Sequence, residues 1–188
     1  MKEYPIVGAC GLDCGLCPRY YTEGKSRCSG CGSPTSNPSC SVFRCCVQTN
    51  GFETCAECKD FPCSRFKDTR DEYDSFLTYK RVRPNLNYIR ENGVEDYVHK
   101  LEKRIELLEE MLRGFNEGRS KSLYCVATTL ISVEGIRKSM DSAKKRVKML
   151  DAEEDIEGKA RILKETIRTT AAKEGVDLRL RKRPKKGS

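Results

Sequence analysis

The sequence predicts a mainly α-helical protein, with a small cysteine-rich N-terminal region followed by an antiparallel helical domain. Two observations predict this fold class. Eleven of the twelve cysteines lie between Cys10 and Cys63. Beyond about residue 66, apolar side chains recur at intervals of three and four, as on one face of a helix. We therefore expect a cysteine-rich domain at 1–65, a helical domain at 66–175 and a tail at 176–188.

The cysteine-rich region contains few large apolar side chains, and such a short segment buries too little surface to fold without disulfides or metal ions. Its cysteines form three C-x2-C pairs, a spacing that lets two thiolates reach one ion from a tight turn. Glycines next to the pairs permit such turns. The composition therefore favours a metal-stabilised region of the zinc-ribbon or zinc-knuckle kind. The pairs are Cys14 with Cys17, Cys28 with Cys31, and Cys55 with Cys58.

Two closed four-sulfur sites would use eight of these cysteines, and we predict two zinc ions. One natural site combines the first two C-x2-C pairs. The other combines Cys55 and Cys58 with two of Cys40, Cys45 and Cys63, and Cys10 can replace one ligand. The full set of candidate ligands is Cys10, Cys14, Cys17, Cys28, Cys31, Cys40, Cys45, Cys55, Cys58 and Cys63.

An iron–sulfur cluster is the competing interpretation, because sulfur ligands suit zinc and iron–sulfur clusters alike. Cys10, Cys14 and Cys17 have the C-x3-C-x2-C spacing of radical S-adenosylmethionine enzymes. The alternating strands and helices of the barrels in those enzymes are not predicted here. A [4Fe–4S] cluster held outside a barrel is the alternative that remains.

Two residues outside the candidate ligands carry groups that often take part in chemistry. His99, the single histidine, is predicted to lie off the apolar stripe of its helix and to be exposed to solvent. Cys125 lies in an apolar run, so we expect a buried thiol acting as a small apolar side chain; a reactive thiol is the alternative.

The helical domain begins with a long stripe from Val94 to Phe115, preceded by Gly93. A second helix is predicted to start near Ser120, and the apolar pattern continues after Gly135. A last helix is expected to run from about Ile156 until Gly175 ends it. In the tail, apolar and charged residues alternate, which predicts a short edge strand or an extended basic arm.

The net charge is +8 and belongs entirely to residues 121–188, which carry 18 Lys and Arg against 10 Asp and Glu. Filled thiolate sites would make the N-terminal region negative, so RNA or ribosome binding would need the tail. Its candidate phosphate contacts are Arg179, Arg181, Lys182, Arg183, Lys185 and Lys186.

The apolar patch before Cys10 is too short for a secretory signal, and no run reaches the roughly eighteen apolar residues of a membrane span. We therefore expect a reducing cytoplasm, where clustered cysteines bind metal, and no membrane partner. No catalytic triad, phosphate-binding glycine loop or HExxH motif is visible, which argues against an enzyme. The leading hypothesis is a zinc-supported module that binds a protein partner.

Several motifs resemble an uncharacterised prokaryotic family, domain of unknown function 3795, over roughly residues 5–98. Cys46 departs from the family's ten-cysteine pattern, which suggests that it is not a ligand. The resemblance implies a cysteine-rich, metal-binding domain and no particular reaction. The motifs are CGLDCGLCPRY (Cys10–Tyr20), CSGC (Cys28–Cys31), the step from Cys40 to Cys45, CAECKDFPC (Cys55–Cys63) and RPNLNYIRENGVEDYV.

Overall fold

The computed structural model describes residues 2–36, 39–66 and 73–182. Within these ranges it contains five α-helices of ten or more residues and no strand. The prediction of a mainly helical protein with a cysteine-rich N-terminal region is therefore confirmed, whereas the zinc-ribbon detail is not, since a ribbon requires strands. The helices are α1 Val82–Asn92, α2 Val94–Phe115, α3 Lys121–Leu130, α4 Val133–Met149 and α5 Ile156–Lys173.

The cysteine-rich region is built from turns. Four short 3-10 helices occur at Cys14–Leu16, Gly24–Ser26, Cys55–Glu57 and Ser64–Phe66. A single helical segment, Ser41–Phe43, continues as a π-helix over Arg44–Thr49. The buried side chains here are few, which agrees with the predicted shortage of apolar core. The larger apolar ones are Val7, Leu16, Val42, Phe61 and Phe66.

Helices α1 and α2 follow one another with only Gly93 between them. On α2 the predicted stripe is buried, with Val98, Leu101 and Leu108 among its members. On α1, Leu86 and Ile89 are buried together with the polar Asn85, and α1 packs against the turn at Cys55–Glu57. The bounds predicted for α2 are confirmed.

Helices α4 and α5 form an antiparallel pair. Ser132 caps the start of α4 by accepting a hydrogen bond from the Gly135 amide at 2.9 Å. The carboxylate of Glu174, at the end of α5, accepts from the Ser132 amide at 2.8 Å and from its hydroxyl at 2.6 Å. Gly175 then ends α5 with a φ of +67°, a left-handed conformation that favours glycine.

The chain divides into two compact units. One comprises the described parts of 1–102 and 180–188, and the other comprises 103–179. The boundary falls inside α2, whereas we predicted domain boundaries at 65 and 175. Compactness alone does not test independent folding, so the domain boundaries stay a prediction.

Two details differ from the sequence analysis. The first long α-helix begins at Val82 and not near Phe66, because residues 73–81 form an irregular segment rich in side chain-to-backbone hydrogen bonds. Residues 176–182 have no regular secondary structure, so the predicted edge strand is not present there. None of the helices in the described ranges is both long and apolar enough to cross a membrane.

Candidate metal centre

Two of the three C-x2-C pairs place their cysteines at the two ends of one tight turn. In the first pair, a 3-10 turn starts at Cys14, and the Cys17 amide donates to the Cys14 carbonyl at 3.2 Å. Cys55 and Cys58 repeat this arrangement at the same distance of 3.2 Å. This local geometry follows from the spacing, because three residues complete one turn of a 3-10 helix.

The Cys28–Cys31 pair is held under the N-terminal segment. The Cys31 amide donates to the Pro5 carbonyl at 2.7 Å, and the Ala9 amide donates to the Cys31 sulfur at 3.3 Å. Gly30 permits this close approach: its φ is +109°, and a β-carbon there would lie 2.3 Å from the Pro5 oxygen. Any larger residue at position 30 would therefore clash with the backbone of Pro5.

The turn at Cys55–Cys58 is fixed at both ends. Thr54 and Glu57 form a reciprocal capping box, in which the Glu57 carboxylate accepts from the Thr54 amide at 2.8 Å. The Arg90 guanidinium of α1 donates to the Ala56 carbonyl at 3.2 Å and to the Cys58 carbonyl at 3.1 Å. A cation therefore holds the carbonyl end of this turn.

Six thiols line one cavity of about 610 Å³, which we call the six-thiol cavity. Its remaining wall includes Arg19, Phe43, Phe76 and Tyr79. The four cysteines of the first predicted zinc site are all present, and two further candidate ligands join them. The six are Cys10, Cys14, Cys17, Cys28, Cys31 and Cys40.

The other five cysteines of the region line a separate cavity of about 30 Å³, the five-thiol cavity. It contains both members of the last C-x2-C pair, together with Cys45 and Cys63 from the predicted second site. Cys40 belongs to the six-thiol cavity instead. The five are Cys45, Cys46, Cys55, Cys58 and Cys63.

Burial and mutual repulsion keep several of these thiols protonated. Burial raises the pKa of Cys14 well above its ordinary value, and the neighbouring Cys31, Cys10, Cys17 and Cys28 raise it further. Burial also raises the pKa of Cys31 to about 11, although the Ala9 amide opposes this. Thiolates in this cavity therefore need compensating positive charge, which a bound cation supplies.

Cys46, which we predicted not to be a ligand, is buried. It shares a sulfur–sulfur hydrogen bond with Cys55, which raises the pKa of Cys55 and lowers that of Cys46. In this hydrogen bond the Cys55 thiol donates and the Cys46 sulfur accepts.

All twelve cysteines are free thiols, and no disulfide joins them. The side chains as they lie do not form a closed cage: across 2–36, 39–66 and 73–182, no three Cys, His, Asp or Glu side chains are arranged to hold one ion. The donor chemistry fits zinc or an iron–sulfur cluster, and closing a site would require the sulfurs to turn towards one another. The predicted ligand set stays a prediction.

Asp13 anchors the first cysteine turn and was missed by the sequence analysis. Its buried carboxylate accepts from Asn85 Nδ2 at 3.1 Å and from the Tyr97 hydroxyl at 2.5 Å. Asn85 also donates to the Gly11 carbonyl at 2.9 Å. An acidic residue between two predicted ligands was a visible signal, but its partners on α1 and α2 are remote in sequence.

A buried ion pair ties down the N-terminus. Lys2 Nζ lies 2.8 Å from Glu53 Oε1, and the Lys2 side chain is only 1% exposed. The Glu53 carboxylate also accepts from the amides of Glu3 and Tyr4, at 3.1 and 2.8 Å. The pair therefore connects the first residues to the turn that precedes Cys55.

The remaining candidates lie as follows. His99 is exposed and Cys125 is fully buried, as expected. In the tail, Arg179 pairs with Asp177 and Arg181 pairs with Asp74, while Lys182 is exposed. Nucleic-acid binding is not tested by these positions. Three candidate phosphate contacts, Arg183, Lys185 and Lys186, lie outside the described residues.

Fold and site together define a helical protein whose cysteine-rich N-terminal region surrounds two thiol-lined cavities. Residues 6–68 match the model of the family described as a protein of unknown function (DUF3795). The resemblance inferred from the motifs is confirmed over a shorter range than 5–98, and all ten candidate ligands fall within the match. No curated protein and no solved structure matches the chain.

Proposed function

We propose that the cysteine-rich region binds zinc through thiolate sites in both cavities, and that the metal supports a module for binding a protein partner. One observation carries the proposal: eleven reduced thiols separate into two cavities, each containing at least four donors. Four thiolates are the complete ligand set of a structural zinc site.

The scarcity of apolar side chains supports a structural role for the metal. The region's buried core consists of a few residues distributed among turns. Structural zinc contributes about 10–16 kcal/mol of apparent binding free energy to folding. That contribution replaces the apolar burial that a region of this size lacks.

In the five-thiol cavity, we assign Cys45, Cys55, Cys58 and Cys63 as ligands. Cys46 is left outside this set, with its sulfur hydrogen-bonded to that of Cys55. Arg90 holds the Ala56 and Cys58 carbonyls from outside the site. Partners of this kind orient metal ligands and commonly tune affinity.

In the six-thiol cavity, Cys14, Cys17, Cys28 and Cys31 form the minimal set. Positive charge lies close to it: Lys2 acts on Cys31, and Arg19 acts on Cys17. Both offset part of the negative charge that four thiolates add around one divalent ion. A reducing compartment such as the cytoplasm would keep the set available for metal.

A [4Fe–4S] cluster is the second candidate, and one observation favours it. The three cysteines of the C-x3-C-x2-C motif, Cys10, Cys14 and Cys17, all line the six-thiol cavity. A further cysteine from the same wall would complete the ligands. Such a cluster would supply electron-transfer chemistry instead of a purely structural centre.

The test is metal analysis of the full chain purified without oxygen, together with its visible spectrum. We expect a colourless protein that contains zinc. Removing the zinc with a chelator should abolish hydrogen-exchange protection across residues 2–66 and leave α3, α4 and α5 protected. Iron with sulfide in a brown protein would select the second candidate, and a metal-free N-terminal region that keeps its protection would overturn both.

A matched pair of variants sharpens the test. Cys58→Ser removes a proposed ligand and should lower the zinc content, whereas Cys125→Ser changes a buried thiol far along the chain and should leave it unchanged. Equal zinc loss from both variants would indicate general unfolding and not ligation.

A further inference from the structure

We propose that the tip of the antiparallel pair α4 and α5 is a docking site for a short basic segment of another protein, one that carries apolar side chains among its lysines and arginines. The tip, which we call the hairpin tip, comprises residues 149–157: the end of α4, the loop and the start of α5. This assignment rests on the partner-binding part of the proposed function and gives the partner a chemical class.

Large apolar side chains are exposed at the hairpin tip. Met149 is 84% exposed, Leu150 63% and Ile156 38%. Within the described residues, Phe76 is the only other large apolar side chain that is exposed. Single exposed apolar side chains are ordinary, but three of the four in this protein lie within eight consecutive residues. A contiguous apolar patch of this kind marks an interaction site.

The loop of the hairpin tip has a defined backbone. The Ala152 amide donates to the Val147 carbonyl at 3.1 Å, and Asp151 has a φ of +49°, so α4 ends in a Schellman motif. Asp155 then caps α5 by accepting a hydrogen bond from the Gly158 amide at 2.9 Å. The two helix ends and their apolar side chains are therefore held together by a short ordered loop, and a partner meets a preformed surface.

Carboxylates are interspersed with these apolar side chains. Residues 151–157 contain five acidic residues, flanked by Lys148 and Lys159, so 148–159 has a formal charge of −3. One of the five, Asp155, is the cap of α5. The other four form no ion pair within the described part of the chain. They are Asp151, Glu153, Glu154 and Glu157.

Carboxylates elsewhere on the same two helices are paired. Glu134 lies 2.5 Å from Lys138, and Glu165 lies 2.9 Å from Arg146. Unpaired charges of one sign repel one another and destabilise a compact state. The carboxylates of the hairpin tip therefore do not stabilise the pair of helices, and a cationic partner would relieve their repulsion.

The hairpin tip thus has the composition of a small protein interface, in which apolar side chains form the centre and charged side chains form the rim. Burial of the centre supplies affinity, and the charge of the rim selects the partner and speeds association. Met149 suits the centre because its flexible thioether adapts to different neighbours. The complementary segment carries apolar side chains for the centre and lysines or arginines for the rim.

Other occupants fit the hairpin tip less well. Nucleic acid and anionic lipid are negatively charged, so the carboxylates repel them. A stable dimer buries about 800 Å² on each partner, whereas the three apolar side chains expose on the order of a few hundred Å². In the chain's own basic tail, Arg179 already pairs with Asp177, and Arg181 with Asp74.

Peptide binding to the full chain tests this assignment. The probe is a synthetic peptide of about 14 residues, with leucines on one face of a helix and lysines on the other. A peptide of equal charge, with serine at every leucine position, is the matched control. We expect the leucine–lysine peptide to bind about 10-fold more tightly or better, measured by fluorescence anisotropy. Equal affinities of the two peptides would overturn the docking site.

An apolar variant locates the bound peptide. Met149→Ser combined with Leu150→Ser should weaken binding of the leucine–lysine peptide about 10-fold or more, because the centre of the site loses its apolar side chains. Both side chains are exposed, so hydrogen-exchange protection of α4 and α5 should stay as in the wild type. Unchanged peptide affinity in this variant would overturn the docking site.

A charge variant tests the rim. Glu153→Gln combined with Glu154→Gln should weaken peptide binding at low salt and have a smaller effect at high salt, where the attraction is already screened. Glu106→Gln combined with Glu109→Gln removes the same charge from an exposed part of α2 and should change the affinity little. Equal weakening by the two variants would show attraction to the net charge alone and would overturn the docking site.

Further measurements separate the other occupants. Tighter binding of a peptide of residues 176–188, or a dimer that the Met149→Ser, Leu150→Ser variant dissociates in sedimentation, would assign the tip to a second copy and overturn the proposal. Binding to phosphatidylcholine vesicles that this variant abolishes would assign the tip to a membrane and also overturn it. Zinc content should be the same in every variant. Zinc-free protein that binds the peptide through the tip would overturn only the metal function, and zinc-loaded protein that does not would overturn only the docking site.

Discussion

The carboxylate of Asp74 binds the backbone and the side chain of Arg181 at the same time. Its Oδ2 accepts from the Arg181 amide at 2.8 Å, and its Oδ1 accepts from the guanidinium at 2.8 Å. The Asp74 amide in turn donates to the Arg181 carbonyl at 3.0 Å. The Asp74 side chain is fully buried and the Arg181 side chain is partly exposed, so a half-buried ion pair attaches the basic arm here.

Replacing Arg181 should release the arm and destabilise the segment around Asp74. We expect Arg181→Ala to cost about 3 kcal/mol, because the buried carboxylate loses its charged partner. Hydrogen exchange at the Asp74 and Tyr79 amides measures the effect locally, since both amides depend on this contact. Arg179→Ala is the control: its ion pair with Asp177 is exposed to solvent and should contribute little to stability.

The same ion pair predicts a pH dependence. Burial alone would raise the pKa of Asp74, but hydrogen bonds from Arg181 and from the Tyr79 amide outweigh it, so the pKa lies below its ordinary value. A lowered pKa means that the ionised carboxylate stabilises the fold. This stabilisation is fully present above about pH 4, the ordinary pKa of an aspartate, and is lost as the pH falls through the pKa of Asp74 in the folded protein. The difference in stability between wild type and Asp74→Asn should therefore shrink in acid. A difference in unfolding free energy that stays constant from about pH 7 to about pH 3 would contradict this prediction.

The sequence could predict the elements whose cause is local. The stripe of α2 is visible from Val94 to Phe115, and the stop at Gly175 is encoded by one residue. The irregular segment before Val82 was not predictable, because Asp74 shapes it through Arg181, which follows 107 residues later. A periodicity argument contains no information about such pairs.

The candidate site likewise has features that follow from local sequence and features that depend on residues remote in sequence. The C-x2-C spacing predicts the turns, since each is completed within four residues. Which cavity Cys40 lines depends on how the segment beginning at Ser41 folds back, and the spacing does not encode that. Arg90 was likewise invisible, because an arginine on a helix surface is ordinary until its carbonyl partners are known.

Asp13 should be essential for holding the first cysteine turn. Asp13→Ala leaves the amide of Asn85 and the hydroxyl of Tyr97 without this buried acceptor, and hydrogen bonds to a charged group are worth about 1.5–3 kcal/mol each. We expect a loss of about 3 kcal/mol in unfolding free energy, measured by urea denaturation of the metal-loaded protein. Asp96→Ala, at an exposed carboxylate of α2, should cost far less. Equal losses of unfolding free energy in the two variants would show that the buried hydrogen bonds of Asp13 stabilise the protein no more than an exposed carboxylate does.

Arg90 should tune the five-thiol site without being a ligand. Lysine cannot donate to the Ala56 and Cys58 carbonyls with the same planar fork, and it loses the stacking on Phe61 at 5.2 Å. Arg90→Lys should weaken zinc binding at this site about 10-fold or more in competition with a chelator, while the number of ions bound stays the same. Arg137→Lys, at an exposed position of α4, is the control. Unchanged affinity would show that the carbonyl contacts do not influence the metal.

The basic tail can be tested for RNA binding without disturbing the fold, provided that Arg181 is kept. Deleting 179–188 would remove the buried partner of Asp74 together with the candidate phosphate contacts, and would mix two effects. A chain that ends after Lys182 loses only the residues from Arg183 onwards. If the tail binds RNA, the shortened chain should have a lower affinity for RNA. The slope of log affinity against log salt concentration should also become shallower by about 2, since three cations are removed. Arg179 and Arg181 should contribute little to that slope, because they already pair with carboxylates. An unchanged slope in the shortened chain would therefore exclude the tail as the RNA-binding site.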